Sequence, residues 1–496
     1  MIGIELPKDN REAGHHAALQ SIREAEANLE ARFQAKLRVN PDLDRTLVSF
    51  QGNKKETGHR WCKYKEGFSA SLIRYALRET GVSEGSLLDP FAGSGTSLFI
   101  ASEEGMNSVG IELLPCSAEI IDVRRLAANS DKTRLAEQIR SFKRQNRWEK
   151  EGPVIHFPHL RITANAFPQE TEHLLGRFLW EANKTRDEFL GRILRFAAMC
   201  ILEVISYTRK DGQYLRWDSR SGRKLGGKPF DKGPIPTFSK AIVSKLDEIV
   251  NDLEGRELKL FDFETGAQRG AIDLRIGSCL EILPSLDDAS MDAMVTSPPY
   301  CNRYDYTRTY ALELAMMGVT EEEIRQLRQT MLSCTVENRD KGDLPGRFEK
   351  RTWDSAMRAV ADVDILSQIL EYLEECRVDG SINNSGIPRM VRNYFRELSA
   401  VIFECRRILK PGAPLVMVND NVRYQGAHIP VDLILSSIAE KAGFDIDAIW
   451  VLPRGKGNSS QQMGIHGREE IRKCVYVWRV KGRPTKKPGR QLARAR

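Results

Sequence analysis

The stretch Leu87–Thr96, with the sequence LLDPFAGSGT, decides the fold of this chain. An apolar run typical of a short buried strand leads into a turn with two glycines, Gly93 and Gly95, and a helical pattern follows. Glycines in such a turn let the backbone pass close to a ligand, and the free N–H groups of the helix N-terminus favour a carboxylate. A second apolar strand, residues 108–112, ends in Glu112. This order predicts a βαβ unit with a ligand site at its carboxyl edge.

The position of Glu112 indicates the kind of ligand. It lies 19 residues after Gly93, where a carboxylate at the end of the second strand can accept hydrogen bonds from both hydroxyls of a ribose. A dinucleotide-binding fingerprint would need a third glycine, and Leu98 stands at that position. The spacing therefore favours an adenosine-containing ligand and argues against NAD.

A second motif, Thr296–Tyr300 (TSPPY), follows another apolar run far along the chain. Proline lacks an N–H and fixes φ, and Pro299 also holds Pro298 extended, so the Pro298 carbonyl stays free to accept a hydrogen bond. The Ser297 hydroxyl adds a second acceptor, and Tyr300 offers a flat apolar face. These groups suit an exocyclic amine on an aromatic base, whose hydrogens they would bind while the ring stacks on Tyr300.

Alternating strands and helices predict an α/β fold, a Rossmann-like, mostly parallel, doubly wound sheet interrupted by two largely helical insertions. In chain order, Leu87–Asp89 is the first strand and Met291–Val295 the fourth. These two strands lie side by side at the topological switch point of such a sheet, so their loops share one crevice. The two motifs are therefore expected to face each other.

Together the two motifs resemble those of the amino-group DNA methyltransferases, most closely the N4-cytosine type with Ser-Pro-Pro-Tyr. The resemblance implies S-adenosylmethionine as cofactor, double-stranded DNA as substrate and a cognate restriction endonuclease as partner. It assigns catalysis to Ser297, Pro298, Pro299 and Tyr300. The residues that it implies for cofactor binding are Asp89, Phe91, Gly93, Gly95, Thr96, Glu112, Ser278, Phe68 and Ser69. Ser278 stands where the family often has an acid near the adenine of the donor, a departure that predicts weaker donor binding.

The predicted domain organisation follows from where the α/β pattern breaks. The N-terminal helical and basic region spans residues 1–65, and the catalytic domain comprises residues 66–120 and 271–480. An inserted region at 121–270 is assigned to target recognition, a second helical insertion spans 320–389, and a basic, disordered tail spans 481–496. The tail holds seven Lys and Arg and no acid, so it accounts for the whole net charge of +7.

Basic and aromatic residues in the first insertion are candidates for DNA contact, because arginine can bind phosphate or guanine and aromatic rings can stack on bases. The alternative for this run is a solvated loop, and for Arg303, which follows the second motif, a structural ion-pair cluster. The predicted DNA-binding residues are Arg209, Lys210, Tyr214, Arg216, Trp217 and Arg303.

Composition sets limits on the remaining possibilities. The nine cysteines are scattered without CxxC or zinc spacing, which predicts reduced thiols and no metal site. No apolar run reaches membrane length and the N-terminus lacks a signal-peptide pattern, so a cytoplasmic protein is expected. Three alternatives to the N4-cytosine enzyme remain open: an N6-adenine DNA methyltransferase, an RNA base methyltransferase and a catalytically decayed DNA-binding subunit.

Overall fold

The computed structural model describes residues 8–65, 67–212, 214–223, 229–255, 269–453 and 471–482. The predicted basic tail lies outside these ranges from residue 483 onward. The strands are β1 Leu37–Val39, β2 Ser86–Asp89, β3 Asn107–Glu112, β4 Thr208–Asp211, β5 Tyr214–Trp217, β6 Ile272–Ile276, β7 Ala293–Thr296, β8 Pro414–Asp420, β9 Val422–Tyr424, β10 Ala427–Ile429, β11 Phe444–Val451 and β12 Lys473–Val480.

The helices divide into those of the sheet layers and those of the insertions. They are α1 Lys8–Phe33, α2 Ala70–Thr80, α3 Thr96–Glu103, α4 Pro115–Ala128, α5 Lys132–Gln145, α6 Gln169–Asn183, α7 Glu188–Ile205, α8 Phe238–Leu253, α9 Cys279–Ile282, α10 Tyr306–Thr309, α11 Ala311–Met316, α12 Glu321–Thr330, α13 Leu344–Arg347, α14 Lys350–Ala361, α15 Asp364–Val378, α16 Ile387–Ile408 and α17 Val431–Ala442.

Eight strands form one sheet in the order β1-β11-β12-β8-β7-β2-β3-β6. Five of its seven pairings are parallel, and β12 runs antiparallel between β11 and β8. The alternation of side chains along β2 shows that both faces are covered, since successive residues of a strand point to opposite faces. Leu87 packs in a cluster with α2, and Leu88 packs in a separate cluster with α16 and α17. The predicted Rossmann-like, mostly parallel α/β fold is confirmed.

The central pairing is the one that the sequence predicts. β2 is bonded to β7 in parallel, with Leu87 opposite Ala293 and Leu88 opposite Met294. The two strands occupy the middle of the sheet, so the loops that follow them leave its carboxyl edge side by side.

Two features of the fold are absent from the sequence prediction. The N-terminal region contributes a strand, β1, which pairs with β11 and extends the sheet, while α1 packs against α15. A short antiparallel hairpin, β9–β10, follows β8 directly. β1 is only three residues long and mostly exposed, so it has neither the length nor the alternation that marks a strand in sequence.

The first insertion has its own hydrophobic core, built mainly from α4 to α8. Trp148, Phe178 and Phe238 meet at its centre, with the Phe178 ring 5.4 Å from Trp148 and 5.5 Å from Phe238, in edge-to-face geometry. The antiparallel hairpin β4–β5 follows α7 and closes one side of this core through buried Leu215 and Trp217. The second insertion supplies α12 to α15, and α14 and α15 pack on α16.

A buried ion pair joins the hairpin to α11. Lys210 Nζ of β4 lies 2.6 Å from Glu313 Oε1 of α11, and both side chains are almost fully buried. The ammonium also lies 4.1 Å from the centre of the Tyr310 ring. Burial alone would lower the pKa of Lys210. The nearby Glu313 charge opposes this effect and outweighs it together with the other partners, so the pKa stands above its ordinary value. The lysine is therefore a charged structural anchor.

Removing one partner of this pair should destabilise the fold strongly. Glu313→Ala leaves an ammonium buried without its acid, which costs about 3–5 kcal/mol in the free energy of unfolding, whereas the double variant Lys210→Met/Glu313→Leu recovers most of that loss. Urea titration followed by tryptophan fluorescence measures both. Asp354→Ala is the control, because it breaks the exposed Lys350–Asp354 pair and should cost less than about 1 kcal/mol. Equal losses for Glu313→Ala and Asp354→Ala would contradict the anchoring role.

Candidate functional site

Asp89, at the end of β2, joins the two motif loops. Its Oδ1 accepts hydrogen bonds from the Thr296 hydroxyl at 2.7 Å and from the Phe91 N–H at 3.0 Å, and its Oδ2 accepts one from the Ser97 hydroxyl. The side chain is completely buried, and burial raises the pKa of the carboxyl to about 6 even though the three hydrogen bonds lower it. Asp89 thus fixes the glycine loop to the strand that carries the Ser-Pro-Pro-Tyr motif.

A cavity opens between the two loops. Its walls come from both motif loops and from the ends of β3 and β6. The segment before α2 and the second insertion complete them. The lining residues are Tyr64, Gly67, Phe68, Pro90, Phe91, Ala92, Gly93, Ser94, Thr96, Ile111, Glu112, Leu113, Leu114, Gly277, Ser278, Cys279, Ser297, Pro299, Tyr306, Met331 and Leu332.

Glu112 lies in the cavity wall at the carboxyl end of β3. Its Oε2 accepts a hydrogen bond from the Gly93 N–H and its Oε1 accepts one from the Leu114 N–H, both at 2.7 Å. Burial raises the pKa of the carboxyl to about 7, against the lowering effect of these N–H groups, and the Asp89 charge raises it further. Each oxygen keeps a lone pair beyond its backbone bond, so the carboxylate can still bind two hydroxyl groups.

Gly93 is needed where it stands because the loop meets an aromatic wall. Its φ is +55°, and a Cβ placed on it would lie 3.0 Å from Cε1 of Tyr64. Tyr64 is itself held by a stacked contact with Tyr310, with ring centres 5.1 Å apart, and by a hydrogen bond between its hydroxyl and that of Ser117. Any side chain at position 93 would therefore displace the loop or the ring.

The Ser-Pro-Pro-Tyr loop presents Ser297 and Pro299 to the same cavity. The Ser297 hydroxyl donates to the Val418 carbonyl of β8 at 3.2 Å and lies 3.3 Å from the Tyr300 hydroxyl. With its proton directed to β8, the Ser297 oxygen keeps lone pairs that can accept a hydrogen bond. Pro298 is buried, and the carbonyl of Cys301, directly after the motif, accepts a hydrogen bond from the Tyr424 hydroxyl at 2.6 Å. The loop is held on both sides.

Most of the predicted cofactor residues meet in this cavity. Phe68, Phe91, Gly93, Thr96, Glu112 and Ser278 line it, while Asp89 and Gly95 lie behind it and shape the loop. The structure corrects the prediction that Ser69 belongs to this cavity. Ser69 does not line the cavity, because its hydroxyl donates to the Leu47 carbonyl and accepts from the Leu72 N–H as the N-cap of α2.

Other wall residues are absent from the sequence prediction. Tyr64 belongs to the basic and aromatic run before α2, and its role depends on contacts with Gly93 and Tyr310 that no local pattern reveals. Met331 and Leu332 come from the second insertion, where the Ser278 hydroxyl also donates to the Thr330 carbonyl at 3.0 Å. This insertion therefore contributes to the cavity. Thr296 lies inside the quoted motif, but its bond to Asp89 becomes evident only in the folded chain.

The predicted DNA contacts separate into exposed and buried residues. Arg209 and Arg216 are exposed on the β4–β5 hairpin, and both guanidinium groups lie over the Phe230 ring. The structure corrects the prediction that Lys210 and Trp217 bind DNA. Lys210 is buried against Glu313, and Trp217 is buried under Arg223. Neither can reach DNA from this position. Tyr214 pairs with Asp211 in the hairpin, and its side chain is outside the described part, as are residues 224–228 of the same basic run.

Arg303 follows the Ser-Pro-Pro-Tyr motif in an unusual conformation. Its φ is +65°, a left-handed value that is uncommon for residues other than glycine and often marks functional sites. The half-buried guanidinium lies 5.8 Å from the centre of the Tyr424 ring, and its Nε is buried without a hydrogen-bond partner among the described residues. The placement keeps Arg303 beside the Ser-Pro-Pro-Tyr loop.

Two features are absent from the described ranges. No helix there has the length and apolar character needed to cross a membrane. Nor do three or more His, Cys, Asp or Glu side chains in that part of the chain come close enough together to hold a metal ion.

The bond between Thr296 and Asp89 can be tested with an isosteric change. Thr296→Val removes a donor to a buried carboxylate and should lower the free energy of unfolding by about 1–3 kcal/mol. The loss should be larger at pH 8 than at pH 5, because the pKa of Asp89 is about 6 and the ionised form needs the donor more. Urea denaturation at both pH values measures it.

Thr309→Val provides the matched control for this experiment. Thr309 is also fully buried, but its hydroxyl has no hydrogen-bond partner among the described residues. The control should cost little at either pH. A Thr296→Val loss that is the same at pH 5 and pH 8 would show that the hydrogen bond does not stabilise the ionised form of Asp89.

Comparisons with known proteins agree with this geometry. The DNA methylase family profile matches residues 18–122, which include the glycine loop and Glu112. The type II methyltransferase M.AvaI of Nostoc is 49% identical over 463 residues, which cover 93% of this chain and 94% of that protein. M.BsoBI of Geobacillus stearothermophilus, also a type II methyltransferase, is 41% identical over 88% of each chain. With likeness of this extent, the chain belongs to the type II DNA methyltransferases of the N4/N6 amino-methylase family, whose methyl donor is S-adenosylmethionine.

Proposed function

We propose that this enzyme methylates the N4 amine of cytosine within a specific sequence of double-stranded DNA. The observation that carries the proposal is the serine at the start of the Ser-Pro-Pro-Tyr motif, with its proton directed to the Val418 carbonyl and its oxygen at the cavity. A neutral hydroxyl acceptor in this place is typical of enzymes that act on cytosine N4, whereas an acid or amide is more typical of those that act on adenine N6.

The residues present fit the donor. Glu112 would bind the ribose hydroxyls, Phe91, Ile111, Met331 and Leu332 supply apolar wall for an adenine, and Gly93 lets the backbone approach. When bound, S-adenosylmethionine supplies a methyl group activated by a sulfonium. Glu112, the acid in the cavity wall, is held by N–H groups and has no Lys or Arg within ion-pair distance among the described residues, so its ionised form favours a cationic ligand in this cavity.

The Ser-Pro-Pro-Tyr loop would act on the amine. The nitrogen is a poor nucleophile because its lone pair is delocalised into the ring. Hydrogen bonds from its two hydrogens to Ser297 Oγ and to the Pro298 carbonyl would favour a pyramidal nitrogen and stabilise the positive charge that develops on it. Tyr300 would stack on the base, which must leave the duplex to reach this pocket.

DNA would be held by the exposed arginines near the site. Arg209 and Arg216 project from the β4–β5 hairpin, and Arg303 lies next to the catalytic loop. Contacts to phosphate fix the register of the protein on the duplex and make binding dependent on salt. Because the similar proteins are named type II methyltransferases, a restriction endonuclease that recognises the same sequence is the partner that this function would require.

Sequencing of methylated bases tests the proposed function directly. Expression in a methylation-free host should place N4-methylcytosine at one short sequence, and Ser297→Ala should lower the rate of methylation by roughly a hundredfold or more, since it removes an acceptor placed for the transition state. Ser285→Ala, on a residue outside the cavity, should leave the rate unchanged. N6-methyladenine at the mapped sites would replace cytosine by adenine as the target, and an unaffected Ser297→Ala enzyme would refute the assignment of the motif.

The pKa of Glu112 predicts how donor binding depends on pH. Because burial raises this pKa to about 7, the ionised form that accepts two ribose hydroxyls is lost below neutral pH. S-adenosylmethionine should bind roughly tenfold more tightly at pH 8 than at pH 6. In the protein without donor, the raised pKa of Glu112 means that the free energy of unfolding falls as the pH rises from about 4.5 through 7.

Calorimetric titration of the wild type and of Glu112→Gln separates this effect from the titration of the donor itself. The glutamine variant should bind more weakly and lose the pH dependence that belongs to the protein. If both proteins show the same change between pH 6 and pH 8, Glu112 does not bind the ribose.

A further inference from the structure

A second cavity lies behind the glycine loop, between α3, α4 and the start of β6. It shares no lining residue with the donor cavity. Three arginines line it, Arg124, Arg125 and Arg269, against one acid, Glu103. This excess of positive charge inside a concave, partly buried space distinguishes it from an ordinary packing defect, which would be apolar.

Arg124 is the residue that defines the site. It is only 4% exposed, its guanidinium lies 3.9 Å from the centre of the Phe99 ring, and its Nη1 donates to the Ser94 carbonyl of the glycine loop at 2.8 Å. Its Nη2 is buried and has no hydrogen-bond partner among the described residues. A planar group with one N–H fixed and another unpaired is oriented to bind an acceptor.

Two other cations near this cavity have acids of their own. Arg125 pairs with Asp122 at 3.0 Å, and Arg74, behind Glu103, pairs with Glu103 at 2.7 Å. No ion pair of Arg124 exists within the described ranges. A buried charge without a partner is costly, and burial lowers the pKa of Arg124 to about 9. Arg125 adds a second unpaired donor, since its Nε is also buried without a partner in the described part of the chain.

The neighbouring His59 is affected by the positive charge of the same arginines. The ring is buried, and neither of its nitrogens has a hydrogen-bond partner among the described residues. Burial lowers the pKa of His59 most, and the charges of Arg124 and Arg74 lower it further. The imidazole therefore stays neutral and adds no competing charge, so the arginines set the potential of the cavity.

We propose that this cavity binds a compact oxyanion, a phosphate or a carboxylate, on the Arg124 Nη2 and Arg125 Nε groups. Guanidinium groups bind such anions through short charge-assisted hydrogen bonds. Because Arg124 also holds the Ser94 carbonyl, an anion bound there is coupled to the loop that lines the donor cavity. That coupling rests on the proposed role of the loop in donor binding, whereas the anion site itself does not.

Calorimetric titration of the full-length protein with inorganic phosphate, and separately with acetate, tests the site. One phosphate should bind to the wild type, and Arg124→Met should weaken binding by roughly tenfold or more because both charge and donors are lost. Arg144→Met, the same change at an exposed position of α5, should bind phosphate like the wild type. Binding of acetate but not phosphate would identify the ligand class as a carboxylate.

Thermal unfolding shows whether the variant is folded and adds a second measure. Without phosphate, Arg124→Met should melt at the wild-type temperature or above it, since an unpaired buried charge is removed. Phosphate should raise the melting temperature of the wild type, compared with chloride at equal ionic strength, and should not raise that of Arg124→Met. If Arg124→Met does not fold, Arg125→Met takes its place, with a several-fold loss expected.

Three results would overturn the proposal: no binding of either anion, equal binding by wild type and Arg124→Met, or an equal effect of chloride. The coupling is tested by titrating S-adenosylmethionine with and without phosphate, where linkage requires reciprocal changes in affinity. A donor affinity that ignores phosphate while phosphate binds would overturn the coupling alone. Failure of the methylation experiment would leave the anion titration unaffected, so the two proposals fail separately.

Discussion

The structure depends on one buried carboxylate. Asp89 accepts hydrogen bonds from the Phe91 N–H of its own loop, from the Ser97 hydroxyl of the following helix and from the Thr296 hydroxyl of β7. Parallel pairing of β2 with β7 brings the strands together, but pairing alone does not fix the loops beyond them. Asp89 connects both loops below the cavity floor. Burial of its carboxylate is unfavourable, and for that reason its pKa is raised. The relative position of Gly93 and Ser297 follows from this connection.

The parts of the site that sequence could predict are those whose chemistry lies in one contiguous stretch. Gly93 and Ser297 each follow a short apolar strand and Glu112 ends one, and the switch-point rule places such positions together. The helix Phe238–Leu253 is equally local, because its apolar spacing and its Thr237 cap lie in one stretch. Lys210 is the opposite case. A lysine in a basic hairpin looks exposed, and only Glu313, 103 residues away, makes it a buried anchor. The roles of β1 and Leu332 likewise depend on partners that are far away in sequence.

A continuous series of contacts links the exposed hairpin to the donor cavity. Lys210 follows the exposed Arg209 in β4, and its ammonium lies over the Tyr310 ring. Tyr310 stacks on Tyr64, and its hydroxyl accepts a hydrogen bond from the Lys65 N–H at 2.7 Å. Tyr64 in turn packs on Gly93. The insertion is thus not a separate module attached by a linker: the strand that carries Arg209 also supports the wall of the donor cavity.

The electrostatics of the glycine loop have two different sides. On the cavity side, Glu112 is held by N–H groups rather than by a cation, so the negative charge of its ionised form is available to a cationic donor. On the opposite side, Arg124 binds the Ser94 carbonyl and presents its remaining N–H to a basic cavity. A salt bridge between these groups would have neutralised both. Keeping the acid and the arginine on separate faces of a thin loop, held apart by its backbone, preserves the negative potential where the sulfonium of the donor would lie.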